Sequence, residues 1–326
     1  MADTGAPPPR NALRVILSRH TAVIAALLLP SLAIAVVSYW RVNAGLTDLT
    51  LARRQSLAQS TAQTLHESID RVKTLGLALS IHPVLRGAVT TGQWKDAESI
   101  LEIFRTLADD LPIDRALVFD AEGTLRADDP QLPDVIGKNF ADRDWYRGVV
   151  AAGAPYVSEV YQRAAEPRLN VVMVGVPIMG NDQRLAGILG LQIDIEYFLQ
   201  WSKNIKVGDL GYVAILDHHG NVVTHPYLQP QDEIVNLADW PITQRILRGE
   251  GDVVVVPDPI TKQRMVTAFE PVLTHGWGVL VQQPAAQAFA ARDSNLRWLL
   301  FTYLAAFIIG FVMICRVLHR HHAGTS

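Results

Sequence analysis

Two apolar runs near the ends of the chain, residues 21–40 and 298–318, constrain it more than any other feature. Each matches the roughly 20 residues that a helix needs to cross a bilayer core. Arg10, Arg14 and Arg19 precede the first run and Tyr39 and Trp40 close it. Positive flanks stay inside and aromatic rings favour the far interface, so the N-terminus is expected in the cytoplasm. Pro30 lies mid-run, where a membrane helix accommodates it as a kink. The rival is a cleaved signal peptide, because Ala33-Ile34-Ala35 resembles a cleavage site, although the run is long for a signal. The second run carries Arg316 near its end and leads into His319, Arg320, His321 and His322, a flank that returns the chain to the cytoplasm. The expected order is a cytoplasmic segment 1–20, a span 21–40, an exported portion, a span 298–318 and a cytoplasmic tail 319–326. With so short a tail, any cytoplasmic output passes through another chain or a further portion of the protein.

Composition narrows the partners. The formal charge of -3 comes without a block of like charge, so there is no footprint for nucleic acid. A single cysteine, Cys315 in the second apolar run, excludes an intramolecular disulfide and a multi-cysteine zinc site.

Residues 41–80 contain no proline and read as a long stalk helix, with Leu65, Ile69 and Val72 at helical spacing. That stripe suits covering a sheet or pairing with a second subunit. His82-Pro83 ends the helix, and 94–111 predicts another, with Ile100, Leu101, Phe104 and Leu107 on one side. Strands are expected at 116–119 and 124–127, joined through Asp120-Ala121-Glu122-Gly123. The segment 127–134 holds Asp128, Asp129 and Asp134 without the spacing of a calcium loop, which reads as a solvated turn. Residues 171–178 are apolar on both faces, as in a central strand, and 185–195 form its neighbour. In the latter, Leu189, Leu191, Ile193 and Ile195 point one way, Gln192 and Asp194 the other. The polar face is either a pocket wall or a solvent-facing edge.

Between these strands lies the stretch 140–163. Arg143 stands beside Trp145 and Tyr146, and Tyr161 and Arg163 follow. A guanidinium forks onto two carboxylate oxygens while an indole or phenol donates a further hydrogen bond, so this group can hold a carboxylate. The same residues also fit plain packing at the start of a helix. Asp142 is the expected N-cap of a helix running to Ala152, with Gly153 at its end. Arg143 and Tyr146 then share a face, and Trp145 points elsewhere unless the first turn is irregular.

The chain also repeats itself. Val118-Phe119-Asp120-x-x-Gly123 returns as Ile215-Leu216-Asp217-x-x-Gly220, Gly175-Val176-Pro177-Ile178 as Phe269-Glu270-Pro271-Val272, and Gly187-Ile188-Leu189 as Gly278-Val279-Leu280, at offsets of 97, 94 and 91 residues. Three matches in one order favour two related mixed α/β modules. His218, His219 and His225 fall at the second turn, where a turn is a better reading than a metal site.

A stalk helix leaving the membrane, two sheet modules and a descending helix, together with Arg143-Asp144-Trp145-Tyr146, Gly187-Ile188-Leu189-Gly190, the Gly211-Tyr212 to Asn221 hairpin and Gly276-Trp277-Gly278, resemble the double Cache family of tandem PAS-like bacterial sensors. The resemblance covers about 41–297. It implies an α+β fold of two PAS-like modules on a long helix flanked by two transmembrane helices. It divides the exported part into a stalk 41–80, a membrane-distal module 81–204 that holds the ligand, a membrane-proximal module 205–283 and a descending helix 284–297. It further implies a homodimer in a bacterial plasma membrane, with the sensor outside and a cytoplasmic kinase, cyclase or receptor as listener. One branch of the family binds amino acids. Arg143, Trp145, Tyr146 and Tyr161 match its carboxylate side, whereas Arg163 and Gln192 replace acids on its amine side. An ammonium needs those acids to offset its desolvation. A small organic anion, gripped by Arg143 and Arg163, is therefore the expected ligand; an alignment shifted onto Asp194 would revive an amino acid.

Two other classes stand beside this one. Scaffolds that regulate polysaccharide chain length share the two-span layout but rely on extended helices. An enzyme is disfavoured: no Gly-x-Ser-x-Gly, His-Glu-x-x-His, phosphate loop or nucleotide-binding glycine run occurs, and no cofactor is implied.

Overall fold

Residues 10–108, 111–132 and 134–323 are described by the structure, a computed structural model. The side chains of Arg10, Arg14, Arg19, Cys315, His319, His321 and His322 lie outside the described residues. Two compact units divide the chain, one from its ends (up to Thr50 and from Phe289) and one from Leu51–Ala288. The first α-helix, α1 (Arg10–Ser80), has Pro30 within it, so the proline does not break the helix.

In the unit of the chain ends, the last helix leaves Phe301, Leu304, Ile308 and Met313 exposed. Its segment Ala290–Ile314 is the one stretch among the described residues long and apolar enough to cross a membrane by length and composition. Residues 21–40 are helical throughout. Arg292 Nη1 donates to Thr47 Oγ1 at 3.2 Å within this unit.

The unit Leu51–Ala288 opens with the stalk part of α1. Ala58, Ala62, Leu65, Ile69 and Val72 are buried, at most 5% exposed, in the same core as the sheets. The stripe therefore covers the protein's own sheets and is not free to pair with a second subunit. Pro83 starts a short helix absent from the sequence reading, α2 (Pro83–Thr91), because proline is pre-set for a first helical position. The following helix, α3 (Trp94–Leu107), ends before the expected Leu111. It buries Ala97 and Leu101 while Leu107 stays 80% exposed, because the buried stripe runs every three to four residues from Ala97 and misses position 107.

The first sheet in chain order, which takes the name distal from the expected module 81–204, is antiparallel, in the order β2 (Leu125–Asp129), β1 (Arg115–Asp120), β6 (Leu185–Asp194), β5 (Asn170–Met179), β3 (Tyr156–Val157), with β4 (Tyr161–Gln162) also paired to β5. Between β2 and β3 lies α4 (Asp144–Ala152). One face carries Val118, Val174, Leu189 and Leu191 into the core under the stalk; the other carries Leu117, Phe119, Met173 and Ile188 against Trp145 and Val149 of α4. After β6, α5 (Ile195–Lys203) crosses to the proximal sheet, ordered β8 (Val222–Thr224), β7 (Tyr212–Leu216), β11 (Trp277–Pro284), β10 (Arg264–Val272), β9 (Asp252–Pro257). Between β8 and β9, α6 (Pro241–Leu247) lies on that sheet through Ile242 and Ile246. A single turn, α7 (Ala285–Ala288), and α8 (Ala290–Ala323) replace the expected continuous descending helix.

The two sheets share their strand order. In both, the aspartate of the Asp-x-x-Gly turn accepts from backbone N–H groups, Asp120 from Glu122 and Thr124, Asp217 from His219 and Asn221. Gly123 and Gly220 take φ of 84° and 78°, the left-handed region that such a turn requires. The third sequence match is displaced by one residue. Phe119 pairs with Ile188 and Leu216 with Gly278, so Ile188 answers Gly278, an offset of 90 rather than 91. In a strand, one residue exchanges the faces. Gln192 beside Arg115 thus corresponds to Gln282 beside Tyr212. Gln282 is fully buried and its Nε2 donates to Asp258 and Thr267, so the proximal sheet holds within its core the position that the distal sheet turns toward a cleft.

Candidate cleft in the distal module

The site begins with how α4 starts. Asp142 does not cap it; Arg143 is the N-cap, with φ -74° and ψ 148°, and makes no capping bond from its side chain. Extended geometry at that one position frees Arg143 from helical periodicity, and its side chain turns to the same cleft as Trp145. Trp145 and Val149, one turn apart, bury 1% exposed against the sheet. Tyr146 lies about 100° further round the helix and leaves the cleft. Its hydroxyl donates to the carbonyl of Ala121 at 2.8 Å, so this tyrosine braces the β1–β2 turn.

The cleft lies between the sheet, α4 and the loop after β4 and has a cavity volume of about 40 Å³. That is room for a few water-sized groups, so a ligand enters only as the surrounding side chains give way. Its walls are apolar, from Leu117, Phe119, Trp145 and Met173, with Arg115, Arg143, Arg163, Tyr161 and Gln192 as polar groups. No carboxylate is among the described lining residues. Arg115 is bound to Asp128 at 2.9 Å, both nearly inaccessible at 7% and 0% side-chain exposure. Arg163 meets Asp114 at 3.1 Å and donates to the Pro167 carbonyl at 2.7 Å. Arg143 has no ion pair with an acid among the described residues; its guanidinium lies over the Tyr161 ring, 5.0 Å from the centroid. Burial raises the Tyr161 hydroxyl well above its ordinary range, against the pull of the Arg143 charge, so the phenol stays a donor.

Of the expected site residues, the fold brings together Arg143, Trp145, Tyr161, Arg163 and Gln192, and leaves out Tyr146 and Asp194. Asp194 is the N-cap of α5, accepting from the Glu196 N–H at 2.9 Å. Its parity on β6 matches Gln192, but the strand ends there and its carboxylate is held by the helix. The aspartate turn at 127–134 is also corrected. Asp128 lies in β2, fully buried, where it receives Arg115 and the Leu132 N–H, because β1 and β2 pair and bring residue 115 beside residue 128. Two acids of this neighbourhood carry no signal along the chain. Asp128 sits in what resembles a solvated turn, and Asp114 lies 3.1 Å from both Arg163 and Gln192. Asp114 stands one residue before the Arg115↔Gln192 pair, a signal visible only once the strand register is known.

A model of the Cache domain family (dCache_1) matches residues 41–292. The chain belongs to the Cache domain family. Among relatives, the methyl-accepting chemotaxis protein McpA of Bacillus subtilis is 27% identical over 190 residues, which is 58% of this chain and 27% of McpA. The chain thus matches little more than a quarter of that relative's length. Solved structures share the fold. The periplasmic sensory domain of the Campylobacter jejuni chemoreceptor Tlp1 superposes with a TM-score of 0.59 at 16% identity, covering 75% of this chain and 98% of that one. The ligand-binding domain of the Pseudomonas aeruginosa amino acid chemoreceptor PctB, in complex with L-Gln, gives 0.55 at 17% identity, over 72% and 91%. Cache domains of this kind are sensory, ligand-binding units of signal transduction rather than an enzyme family.

In this Cache chain the cleft helix is tied directly to the proximal sheet. Asp144, next to Arg143, accepts from the Tyr156 hydroxyl at 3.1 Å and the Glu159 N–H at 3.0 Å, and lies 3.6 Å from His218 Nε2. His218 belongs to the β7–β8 turn, as expected, and its neighbour Asp217 accepts from the Val160 N–H at 2.9 Å. Burial opposes charging His218, yet the Asp144 hydrogen bond and the charges of Asp217, Asp144 and Glu159 outweigh it and raise its pKa above 6.5. Burial likewise opposes ionising Asp144, but His218 and the Glu159 N–H hold it below 3.8. The His218 contribution to stability is complete below 6.5 and is lost as pH rises through the raised value. The Asp144 contribution is complete above 3.8 and is lost as pH falls through the lowered value. Thermal unfolding should therefore peak between these limits, and His218→Gln should flatten the fall on the alkaline side. An unchanged alkaline slope in that variant would remove the joint as its cause.

Proposed function

We propose that this chain is the extracytoplasmic sensor of a two-span bacterial membrane protein, binding a small organic carboxylate in the distal cleft and signalling to a cytoplasmic partner. The observation that carries the ligand class is the charge of the cleft: three arginines, no lining carboxylate, and Arg143 without an acid partner among the described residues. A carboxylate there receives the Arg143 fork with apolar walls excluding water, the setting in which such a pair is strongest. Arg163 does not grip the far end outright, since Asp114 already holds it. It joins a polar gate of Arg163, Asp114 and Gln192. The domain limits 81–204 and 205–283, both spans, the homodimer and a kinase, cyclase or receptor as listener belong to this same reading.

Asp114 favours a second reading. It supplies an acid close to Gln192, so an amino acid could place its ammonium there if Arg163 released it, in keeping with the likeness to the amino acid receptor PctB. Calorimetry on the detergent-purified chain, with small mono- and dicarboxylates against the proteinogenic amino acids, separates the two. Organic acids should bind and amino acids should not. Binding confined to amino acids, and lost in Asp114→Asn, would overturn the anion and establish the alternative.

A further inference from the structure

Away from the cleft, three metal-ligating side chains converge where the stalk meets the turn between β10 and β11. His66 and Asp70 are one helical turn apart on α1, and His275 comes from the turn. One ligand atom from each lies within 4.8 Å of the others. His66 Nδ1 is 3.4 Å from His275 Nε2, and His275 Nε2 is 3.4 Å from Asp70 Oδ1. Four ligands at about 2.0–2.1 Å around a tetrahedral ion stand roughly 3.4 Å apart, so these separations suit an ion among them with little movement. Two imidazoles and one carboxylate form a donor set that zinc-class ions take, and three protein ligands leave a fourth position for water.

We propose that His66, Asp70 and His275 bind one divalent transition-metal ion of the zinc class and clamp the stalk helix to the proximal sheet. Three further features fit. The His275 side chain is 2% exposed. Thr274 Oγ1 lies 2.8 Å from His66 Nδ1, so this hydroxyl holds the ligating nitrogen in place and gives way when an ion binds. Lys73 Nζ, 3.3 Å from Asp70 Oδ1, is the resident cation that an ion displaces, which its long flexible side chain permits. The clamp reaches the joint described above, because the turn continues into Gly276, where an added Cβ would stand 3.0 Å from His218 Cβ. The site does not depend on what the distal cleft binds.

The test uses the full chain in detergent, stripped with chelator and titrated with zinc chloride against a fluorescent zinc indicator. Histidines of the C-terminal tail can take zinc as well, so the readout is the difference between variants. Asp70→Asn and His66→Gln, at partly exposed positions, should each lose one equivalent or weaken it at least about tenfold, with unchanged circular dichroism. Lys73→Met should tighten the same equivalent by removing its competitor, an effect that a purely structural role would not produce. The part played by His275, whose alanine variant can fail to fold, is read from X-ray absorption of the wild-type zinc complex, where two imidazole ligands are expected. Zinc stoichiometry and affinity equal in wild type, Asp70→Asn and His66→Gln would overturn the site.

Discussion

Arg143→Ala should weaken binding of the tightest carboxylate found by about 2 kcal/mol or more, roughly thirtyfold. The guanidinium is placed by an extended N-cap residue, backed by the Tyr161 ring and walled by Trp145, so it is pre-organised before a ligand arrives. Because no acid among the described residues holds it, the variant loses the ligand contact without orphaning an internal partner, and its fold should survive. Arg143→Lys should recover only part of the loss, since an ammonium keeps the charge but not the two-pronged fork. Calorimetry on both variants, with circular dichroism as the control for folding, checks this. Equal affinity in wild type and Arg143→Ala would remove Arg143 from the site.

The largest effect on stability is expected from Arg115→Met. Arg115 and Asp128 face each other at 2.9 Å with 7% and 0% of their side chains exposed. Burial raises the Asp128 pKa, with the Leu132 N–H and the Arg115 charge opposing the rise, and one of its oxygens, Oδ1, has no hydrogen-bond partner among the described residues. Removing the arginine leaves a buried carboxyl with its main counter-charge gone, a change that costs about 3–5 kcal/mol. Denaturant unfolding of Arg115→Met should show that loss. The double variant Arg115→Met, Asp128→Leu should recover most of it, because an apolar pair of similar volume removes both desolvation penalties. A double variant as unstable as the single one would show that packing of Arg115, rather than its charge, is what the sheet requires.

Much of the architecture was legible along the chain because it depends on local rules. Absence of proline over 41–80, His82-Pro83 and the period of Leu65, Ile69 and Val72 marked the stalk and the face it buries. Alternation over 185–195 put Gln192 on the face opposite Leu189 and Leu191, and the structure places it in the cleft. Misreadings fall where the deciding partner is distant in sequence. Asp128 resembles a solvated turn until Arg115 of the neighbouring strand is beside it. Asp194 shares its parity with Gln192, but the start of α5 claims its carboxylate. Tyr146 leaves the cleft that Arg143 and Trp145 line, because a single extended N-cap residue, Arg143, breaks the periodicity that would put residues 143 and 146 on one face.

By itself, then, the sequence determined two sheet modules on a stalk helix, the Cache family, and an arginine-aromatic stretch at 140–163 in the distal module. Periodicity, turn chemistry and motif spacing are local or repeated, and each survives in one dimension. Only the tertiary structure decided which of those side chains share a cleft, that Arg143 alone among its three arginines lacks an acid among the described residues, and that Asp114 holds Arg163 and Gln192. It also brought His66 and Asp70 to His275 across more than 200 positions of chain. Strand register and the packing of the stalk set those distances, and both are properties of the folded chain as a whole.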